Sequence, residues 1–183
     1  GPGGTGLTTF GVALSLSSER LGYGPSVWLD LTGQFPSSLV KYLRLDTIVV
    51  GTGALLDWNG LTEVVDDLSV GASVIVVDSL EAMPRAKSAS DIERFVSIAS
   101  CAASEQHCII CVFTHEFFMA SKQRLYSTAE RWLMGYAKIG MRFPSPGVAE
   151  VVYSRFCRSP SRCGFTYREP LGKVIHDDGI ISV

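Results

Sequence analysis

Two continuous runs of apolar residues occupy the middle of the chain. The first, Val74–Val77, ends in Asp78, and the second is Cys108–Phe113. Unbroken apolar runs of this length predict strands buried on both faces, which is the arrangement found in a parallel sheet. Between the two runs, Asp91–Ala103 places apolar residues at helical spacing behind a Ser-Asp pair that can cap a helix. The pattern therefore predicts a βαβ unit.

Further strands and helices are predicted before this βαβ unit, and antiparallel strands are predicted after it. Ser26–Asp30 and Thr47–Val50 predict two further strands, and Ser37–Leu43 and Leu61–Leu68 predict two further helices. Downstream segments alternate or carry aromatic residues, with Pro and Gly between them, and this predicts antiparallel strands. These segments are Tyr136–Phe143, Ala149–Phe156 and Gly164–Arg168. We predict an α/β fold in which a mostly parallel sheet flanked by helices continues into an antiparallel C-terminal meander, as a single domain over residues 1–183.

Composition narrows the class of protein. The 183 residues are 46% hydrophobic and 19% charged, which predicts a core-forming globular chain and excludes disorder or a disulfide scaffold as its main feature. No apolar run approaches the roughly 18 residues that cross a bilayer, so we expect no membrane partner. Five cysteines without framework spacing favour a reducing compartment. We expect a cytoplasmic location, associated with the nucleoid in a bacterium, or a nuclear one in a eukaryote.

Charge is distributed unevenly along the chain. Residues 1–118 carry 6 basic and 13 acidic side chains, whereas residues 119–183 carry 10 basic and 5 acidic ones. An electropositive C-terminal part predicts a surface that faces a polyanion. The alternative is an ordinary solvated surface.

Cysteine and histidine spacing gives little support to a metal site. Cys108 and Cys111 form a C-x-x-C pair, but positions i and i+3 of a strand point to opposite faces, which disfavours joint ligation. Cys157 and Cys163 could meet across a turn, yet His176 is the one histidine near them in sequence. We therefore interpret Cys108 and Cys111 as structural thiols.

The chain opens with a glycine-rich segment that has the spacing of a phosphate loop. It follows the pattern G-x-x-x-x-G-K-[ST], except that Leu7 stands where the lysine belongs. Such loops hold phosphate through backbone N–H groups and a helix N-terminus, and a hydroxyl ligates magnesium. The nucleotide-binding candidates are Gly3, Gly4, Thr5, Gly6, Leu7, Thr8 and Thr9, with Thr8 and Asp78 as the magnesium candidates. The alternative is a glycine-rich turn that only opens a helix.

The combination of the two motifs resembles the ATPase core of the RecA recombinase family, the bacterial branch above all. Gly1–Thr9 followed by Val74–Ala82 carries the resemblance, and Val27–Asp30, Ile109–Glu116 and Tyr136–Arg142 match further strands in order. Nearly the whole chain is covered, through order and spacing. The resemblance implies a RecA-like P-loop NTPase core, with ATP or ADP and magnesium as cofactors and single-stranded DNA as a partner.

The chain differs from that family at three positions that take part in the family's ATP hydrolysis. Leu7 replaces the phosphate-loop lysine, Thr32 occupies the position of the catalytic glutamate, and Glu116 occupies that of the γ-phosphate-sensing glutamine. Loss of charge stabilisation and of water activation predicts a degenerate ATPase that binds nucleotide weakly or binds none. We expect the family's first strand and N-terminal helix to be missing, because the chain is a fragment or the strand comes from elsewhere, and we do not expect filament assembly by the family's route.

The family contacts DNA through two loops, which the resemblance places at Pro84–Ser90 and Phe117–Thr128. The DNA-binding candidates are Arg85, Lys87, Phe117, Phe118, Lys122 and Arg124. Aromatic residues among basic ones suit base stacking with phosphate neutralisation. The alternative is a loop whose aromatic residues pack on the domain or on a protein partner.

These observations predict an accessory or regulatory protein of DNA recombination or repair that acts through DNA, a protein partner or both. The resemblance implies two kinds of relative: non-hydrolysing paralogues that assist a recombinase, and ImuA-like proteins that bind a repair polymerase subunit. One alternative is an active DNA-dependent ATPase in which Lys41, Lys138 or Lys173 supplies the missing charge. The other is a purely structural interaction module with a vestigial phosphate loop.

Overall fold

The computed structural model describes residues 6–35, 57–84, 89–114, 117–119, 124–126, 133, 135–145, 148–156, 162–167, 174–176 and 179–181. The chain divides into two compact units. Residues 14–114 form the parallel-sheet unit, and residues 1–13 with 115–183 form the meander unit. Helix α1 (Leu7–Arg20) contributes residues to both units.

A three-stranded parallel sheet forms the centre of the parallel-sheet unit. Its strands are β1 (Ser26–Asp30), β2 (Val74–Asp78) and β3 (Ile109–Val112), in the order β1-β2-β3. Val74–Val77 is fully buried, and so is nearly all of β1, because both faces of the sheet are covered. The predicted strands and their parallel pairing are confirmed, with the third strand shorter than predicted.

Two helices connect these strands. Helix α2 (Trp58–Ser69) leads from β1 to β2, and helix α3 (Ala89–Glu105) leads from β2 to β3. Because parallel crossovers are right-handed, both helices lie on the same face of the sheet. The Trp58 and Phe95 rings meet there with their centroids 6.0 Å apart. Both predicted helices are confirmed, and each is longer than its apolar pattern indicated.

The other face of β1 faces helix α1. The Ser26 hydroxyl donates to the backbone carbonyl of Ser15 at 3.3 Å, which fixes the side of the strand on which α1 lies. Alternation along a strand places Trp28 and Asp30 on the same face as Ser26. This face therefore carries a buried indole in its middle and a carboxylate at its carboxyl end.

The meander unit contains two antiparallel sheets. A hairpin pairs β4 (Phe117–Met119) with β5 (Arg124–Tyr126), within a segment that the sequence predicted as a loop. Aromatic and aliphatic side chains favour strands, which explains the hairpin. The larger sheet has the order β10-β9-β8-β7-β6, with each strand beside its neighbour in sequence. Its strands are β6 (Ile139–Ser145), β7 (Val148–Ser154), β8 (Arg162–Tyr167), β9 (Val174–His176) and β10 (Gly179–Ile181).

The predicted antiparallel strands are thus confirmed, with shifted bounds: the strand predicted at Tyr136–Phe143 begins at Ile139, because Tyr136 is helical. Among the described residues they form sheets separate from the parallel one, so the prediction of one continuing sheet was wrong. The chain has the α/β architecture that its patterns predicted, with a parallel sheet flanked by helices followed by antiparallel strands. The predicted helix Ser37–Leu43 and strand Thr47–Val50 lie outside the described residues.

Candidate functional site

Two carboxylates end neighbouring strands at the carboxyl edge of the parallel sheet. Asp30 of β1 and Asp78 of β2 are register partners, so their backbones lie side by side. Asp30 is buried, with 3% of its surface exposed, whereas Asp78 is half-buried. The carboxyl edge of an open parallel sheet is where ligands bind in α/β proteins. This edge is the candidate site.

Asp30 is occupied by the loop that follows it. Its Oδ1 accepts hydrogen bonds from the Thr32 backbone N–H at 3.1 Å, the Thr32 hydroxyl at 2.8 Å and the Gln34 N–H at 3.3 Å. Its Oδ2 accepts from the Phe35 N–H at 2.8 Å. A carboxylate has about four acceptor sites, so this loop uses nearly all of them. Asp30 organises the loop, and Thr32 serves it as a donor.

The same loop closes over the Trp28 indole. The ring of Phe35 lies 4.8 Å from that of Trp28, and the Phe113 ring lies 5.9 Å from it on the β3 side. Trp28 is 1% exposed, and its Nε1 has no hydrogen-bond partner among the described residues. An unpaired buried donor costs about 1–3 kcal/mol, so the indole is retained here for its apolar packing.

The backbone after β2 is tied to both neighbouring strands. The Asp78 carbonyl accepts from the Leu31 N–H at 2.7 Å, and the Leu80 N–H donates to the Phe113 carbonyl at 3.1 Å. Between them, the Asp78–Ser79 peptide is cis, and Ser79 is fully buried. The Ser79 hydroxyl has no hydrogen-bond partner in the part of the chain that the structure describes. The backbone at the end of β2 is therefore fixed on both sides.

Gly6, the last glycine of the glycine-rich segment, directly precedes a helix, as the sequence predicted. Gly6 has a φ of 102°, a conformation that glycine adopts without a steric penalty, and helix α1 begins at Leu7. The Gly6 carbonyl accepts from the Phe10 N–H at 2.8 Å, which closes the first turn around Thr8 and Thr9. Gly6 and Thr8 have the backbone freedom and the hydroxyl that a phosphate and its magnesium require, whereas the Leu7 side chain has no donor.

The predicted phosphate and magnesium residues divide between the two units. Gly6, Leu7, Thr8 and Thr9 belong to the meander unit, and Asp78 belongs to the parallel-sheet unit. Gly3, Gly4 and Thr5 lie outside the described residues. Within the described ranges, no group of three or more His, Cys, Asp or Glu side chains could hold a metal ion. The magnesium assignment to Thr8 and Asp78 stays a prediction.

The predicted DNA-contacting residues are described only in part. Phe117 and Phe118 lie on β4 and Arg124 on β5, where Phe117 pairs with Tyr126 and Phe118 with Leu125. The hairpin thus brings Phe117, Phe118 and Arg124 into one two-stranded element. Arg85, Lys87 and Lys122, together with the sensor-position Glu116, lie outside the described residues.

Burial raises the thiol pKa of both cysteines near β3. Cys108 is buried, and its burial raises the pKa of its thiol. Burial raises the pKa of the Cys111 thiol to about 12. Both cysteines are free. Reactive and metal-binding cysteines have a lowered pKa, so these shifts support the interpretation of Cys108 and Cys111 as structural thiols.

Sequence reasoning missed the role of Asp30. It assigned the catalytic position to Thr32 and gave no task to the carboxylate two residues earlier. The signal is local: an aspartate followed two residues later by threonine is typical of a turn in which the carboxylate accepts from the backbone ahead of it. A pattern of hydrophobicity does not contain that information.

No protein-family model matches the chain, and no curated protein matches it in sequence. Within the described residues, no helix has both the length and the apolar character needed to cross a membrane. The assignment of function below therefore depends on the residues themselves.

Proposed function

We propose that this chain is a RecA-like accessory protein of DNA recombination or repair that has lost efficient ATP hydrolysis. Three features of the fold support a RecA-like core. An apolar strand ending in Asp78 lies between two parallel neighbours, a glycine with positive φ opens the helix that precedes β1, and an antiparallel meander follows the parallel strands.

The observation that carries the loss of hydrolysis is the hydrogen bonding of Asp30 and Thr32. A general base must accept a proton from the attacking water. The Thr32 hydroxyl instead donates its proton to Asp30 at 2.8 Å, and a hydroxyl of ordinary acidity is a poor base. Asp30 in turn accepts four hydrogen bonds from its loop. The Asp30 carboxylate at the end of β1 is therefore largely engaged by its own loop, which supports the proposed loss of a water-activating base.

Leu7 also supports the proposed loss of hydrolysis, because it supplies no positive charge to the phosphate. Phosphoryl transfer depends on cations that stabilise the charge on the transferred group, and the phosphate-loop lysine is one of them. Leu7 has no charge and no donor. Loss of one such electrostatic element typically lowers a rate by about two to three orders of magnitude, and this chain lacks both the lysine and the base.

The net positive charge of the C-terminal part of the chain supports the proposed accessory role. Residues 119–183 carry 10 basic and 5 acidic side chains, and the β4–β5 hairpin holds Phe117, Phe118 and Arg124. Basic and aromatic residues together suit single-stranded DNA. The protein partner is a recombinase or a repair polymerase subunit, as the family resemblance implies.

The test is a calorimetric titration with ATP and Mg²⁺, with and without single-stranded DNA. We expect weak or undetectable binding to the native chain and binding at least about tenfold tighter to Leu7→Lys, because the lysine restores a charge-assisted contact. Leu7→Met is the matched control and should behave as the native chain, since it changes shape without adding charge.

Two results would contradict the proposal. Tight binding with turnover by the native chain would show an active DNA-dependent ATPase that obtains its cation elsewhere. Absence of binding in all three chains would show that the glycine-rich segment is vestigial and that the protein is a structural interaction module.

A further inference from the structure

The larger antiparallel sheet of the meander unit carries an excess of basic side chains. Within the described ranges of that unit, five residues are arginine or lysine and one, Glu150, is acidic. Four of the five basic residues lie on or directly beside β6, β7 and β8, and they are Lys138, Arg142, Arg155 and Arg162. Residues 119–183 as a whole show the same excess, with 10 basic and 5 acidic side chains. This sheet therefore attracts anions.

A tyrosine ring packs over a glycine on one face of this sheet. Gly140 of β6 and Tyr153 of β7 are register partners. A Cβ atom at Gly140 would lie 3.5 Å from Cδ1 of the Tyr153 ring, so the ring occupies the space above the glycine. Glycine in a strand often marks a position that another group approaches closely. Tyr153 is half-buried, so part of its surface stays exposed on this face.

The Arg155 guanidinium is held beside this ring by neutral groups. Its Nε donates to the Tyr153 hydroxyl at 2.8 Å, and one terminal N–H donates to the Gly135 carbonyl at 2.9 Å. The Arg155 backbone N–H donates to the Lys138 carbonyl at 2.9 Å, so these two exposed basic residues are neighbours across the strands. Since both side-chain acceptors are neutral, the contacts position the guanidinium without neutralising its charge.

Arg142 and Glu150 continue the same face. Between the Gly140 pair and the Arg142 pair the register shifts by one residue, and the extra residue belongs to β7. Strand β6 therefore alternates regularly from Gly140 to Arg142, which places both residues on one face. Arg142 pairs with Glu150, and Glu150 also pairs with Arg162 of β8. The one described acidic residue is thus flanked by two arginines in the strand register, and the positive charge stays in excess.

We propose that this tyrosine–arginine face, formed by Tyr153 and Arg155 with Lys138 and Arg142 beside them, binds single-stranded DNA. The tyrosine ring gives one base a surface to stack on, and the neighbouring cations neutralise phosphates. Sheet faces that combine aromatic and basic side chains are a common way of holding single strands. A single strand fits this face better than a duplex, because its bases are free to stack on a side chain.

The choice of DNA rests on the proposed function, and the face adds a contact surface to the β4–β5 hairpin. None of its residues belongs to the glycine-rich segment, so DNA binding by this face does not require a nucleotide. An acidic protein segment would satisfy the cations without using the ring for stacking, and the test below separates it from DNA.

The test measures binding of a fluorescein-labelled oligodeoxythymidine to the full chain by anisotropy. We expect the single strand to bind, with an affinity that falls as salt rises, because phosphate contacts release counterions. Inorganic polyphosphate of equal charge is the control for charge alone. It should compete at least about tenfold less well than the unlabelled strand, because it offers no base to stack.

Substitutions at two positions test the two parts of the face. Tyr153→Leu removes the ring and should raise the Kd about tenfold, whereas Tyr153→Phe keeps the ring and should stay within about threefold of the native chain. Arg155→Gln removes one cation. It should raise the Kd about tenfold and lower the slope of log Kd against log salt concentration by about one.

Two matched controls change similar residues elsewhere. Ile139→Ser alters a residue that is 50% exposed and adjoins Gly140 in β6, where alternation directs it to the opposite face. Arg94→Gln removes an exposed arginine of α3 in the parallel-sheet unit. Both should leave the Kd within about twofold, since surface changes away from a binding site have little effect. Circular dichroism verifies that every variant is folded.

Three results would overturn this proposal alone and leave single-stranded DNA as a partner of the chain. In the first, folded Tyr153→Leu and Arg155→Gln bind DNA as tightly as the two controls. In the second, polyphosphate competes as well as the unlabelled strand. In the third, a glutamate-rich peptide binds the native chain and is lost in Arg155→Gln while DNA binding is unchanged, which would assign the face to a protein partner. A native chain that binds no single-stranded DNA would overturn both this proposal and the DNA partner in the proposed function.

Discussion

One carboxylate determines the chemistry available at the end of β1. Asp30 accepts hydrogen bonds from two residues of its loop through Oδ1 and from a third through Oδ2. This arrangement holds Thr32 as a donor and places Phe35 against Trp28. Because the loop engages most of its lone pairs, Asp30 is poorly suited to act as a base.

Asp30→Asn should destabilise the chain by about 2–3 kcal/mol. The amide cannot reproduce a carboxylate that accepts on both oxygens, so its NH₂ group would face a backbone donor, and hydrogen bonds to a charged acceptor are the stronger kind. Urea unfolding followed by circular dichroism measures the effect. Asp67→Asn, the same change at an exposed position, should lie within about 0.5 kcal/mol of the native chain. Equal stability of the two variants would show that the loop does not depend on Asp30.

The roles of single residues were harder to predict from the sequence than the helices and strands. The assignment of Leu7, Thr32 and Glu116 as departures from a family pattern stays a prediction, because it depends on spacing alone. The engagement of Asp30 could not be predicted, since it depends on backbone N–H groups up to five residues away turning back toward one oxygen pair. Local turn chemistry of this kind is set by dihedral angles, which a hydrophobic pattern does not specify.

The sequence was most informative about the helices and strands of the parallel-sheet unit. Val74–Asp78 was predicted and observed with the same bounds, because an unbroken apolar run between polar loops has few alternatives in a buried sheet. Helix α2 begins three residues before its first predicted position, since Trp58 is an apolar residue at the edge of the pattern and Asp57 caps the helix. The β4–β5 hairpin was predicted as a loop, because its strands are short and carry charges nearby.

Asp57→Ala should destabilise the chain by about 1 kcal/mol. The Asp57 carboxylate accepts from the Gly60 N–H at 2.8 Å and so satisfies a donor that has no partner within the helix. Asp57→Ser restores a capping oxygen and should recover most of the loss. Both are measured by urea unfolding. If Asp57→Ser is as unstable as Asp57→Ala, the capping hydrogen bond is not the source of the effect.

At the scale of the whole molecule, the parallel sheet separates two surfaces of different character. Its carboxyl end holds Asp30, Asp78 and the rings of Trp28 and Phe35, and the segments at its amino end hold exposed apolar residues, Leu21, Tyr23, Val70 and Ile109. The uneven charge of the sequence indicated the electropositive C-terminal part. The exposure of Tyr23, Val70 and Ile109 could not be predicted, because it depends on how the segments that precede each strand fold.

The proposed accessory role follows from the proposed loss of ATP hydrolysis. We attribute this loss to two positions. Leu7 lacks the positive charge of the phosphate-loop lysine, and Thr32 lacks the carboxylate that would act as the base. The proposed RecA-like chemistry requires both a cation for the phosphate and a base for the water, so we expect either restoration alone to recover little and both together to recover more than the sum.

The most direct measurement is the rate of ATP hydrolysis, with Mg²⁺ and single-stranded DNA, by the native chain, Leu7→Lys, Thr32→Glu and the double variant. We predict no turnover above background for the native chain, little for either single variant, and at least about a hundredfold increase over background for the double variant. Because Thr32→Glu removes a donor to Asp30 and places a second carboxylate beside it, urea unfolding has to show that the double variant is folded. Turnover by the native chain, or a folded double variant as inactive as the native chain, would contradict the proposal that these two substitutions disable a RecA-like site.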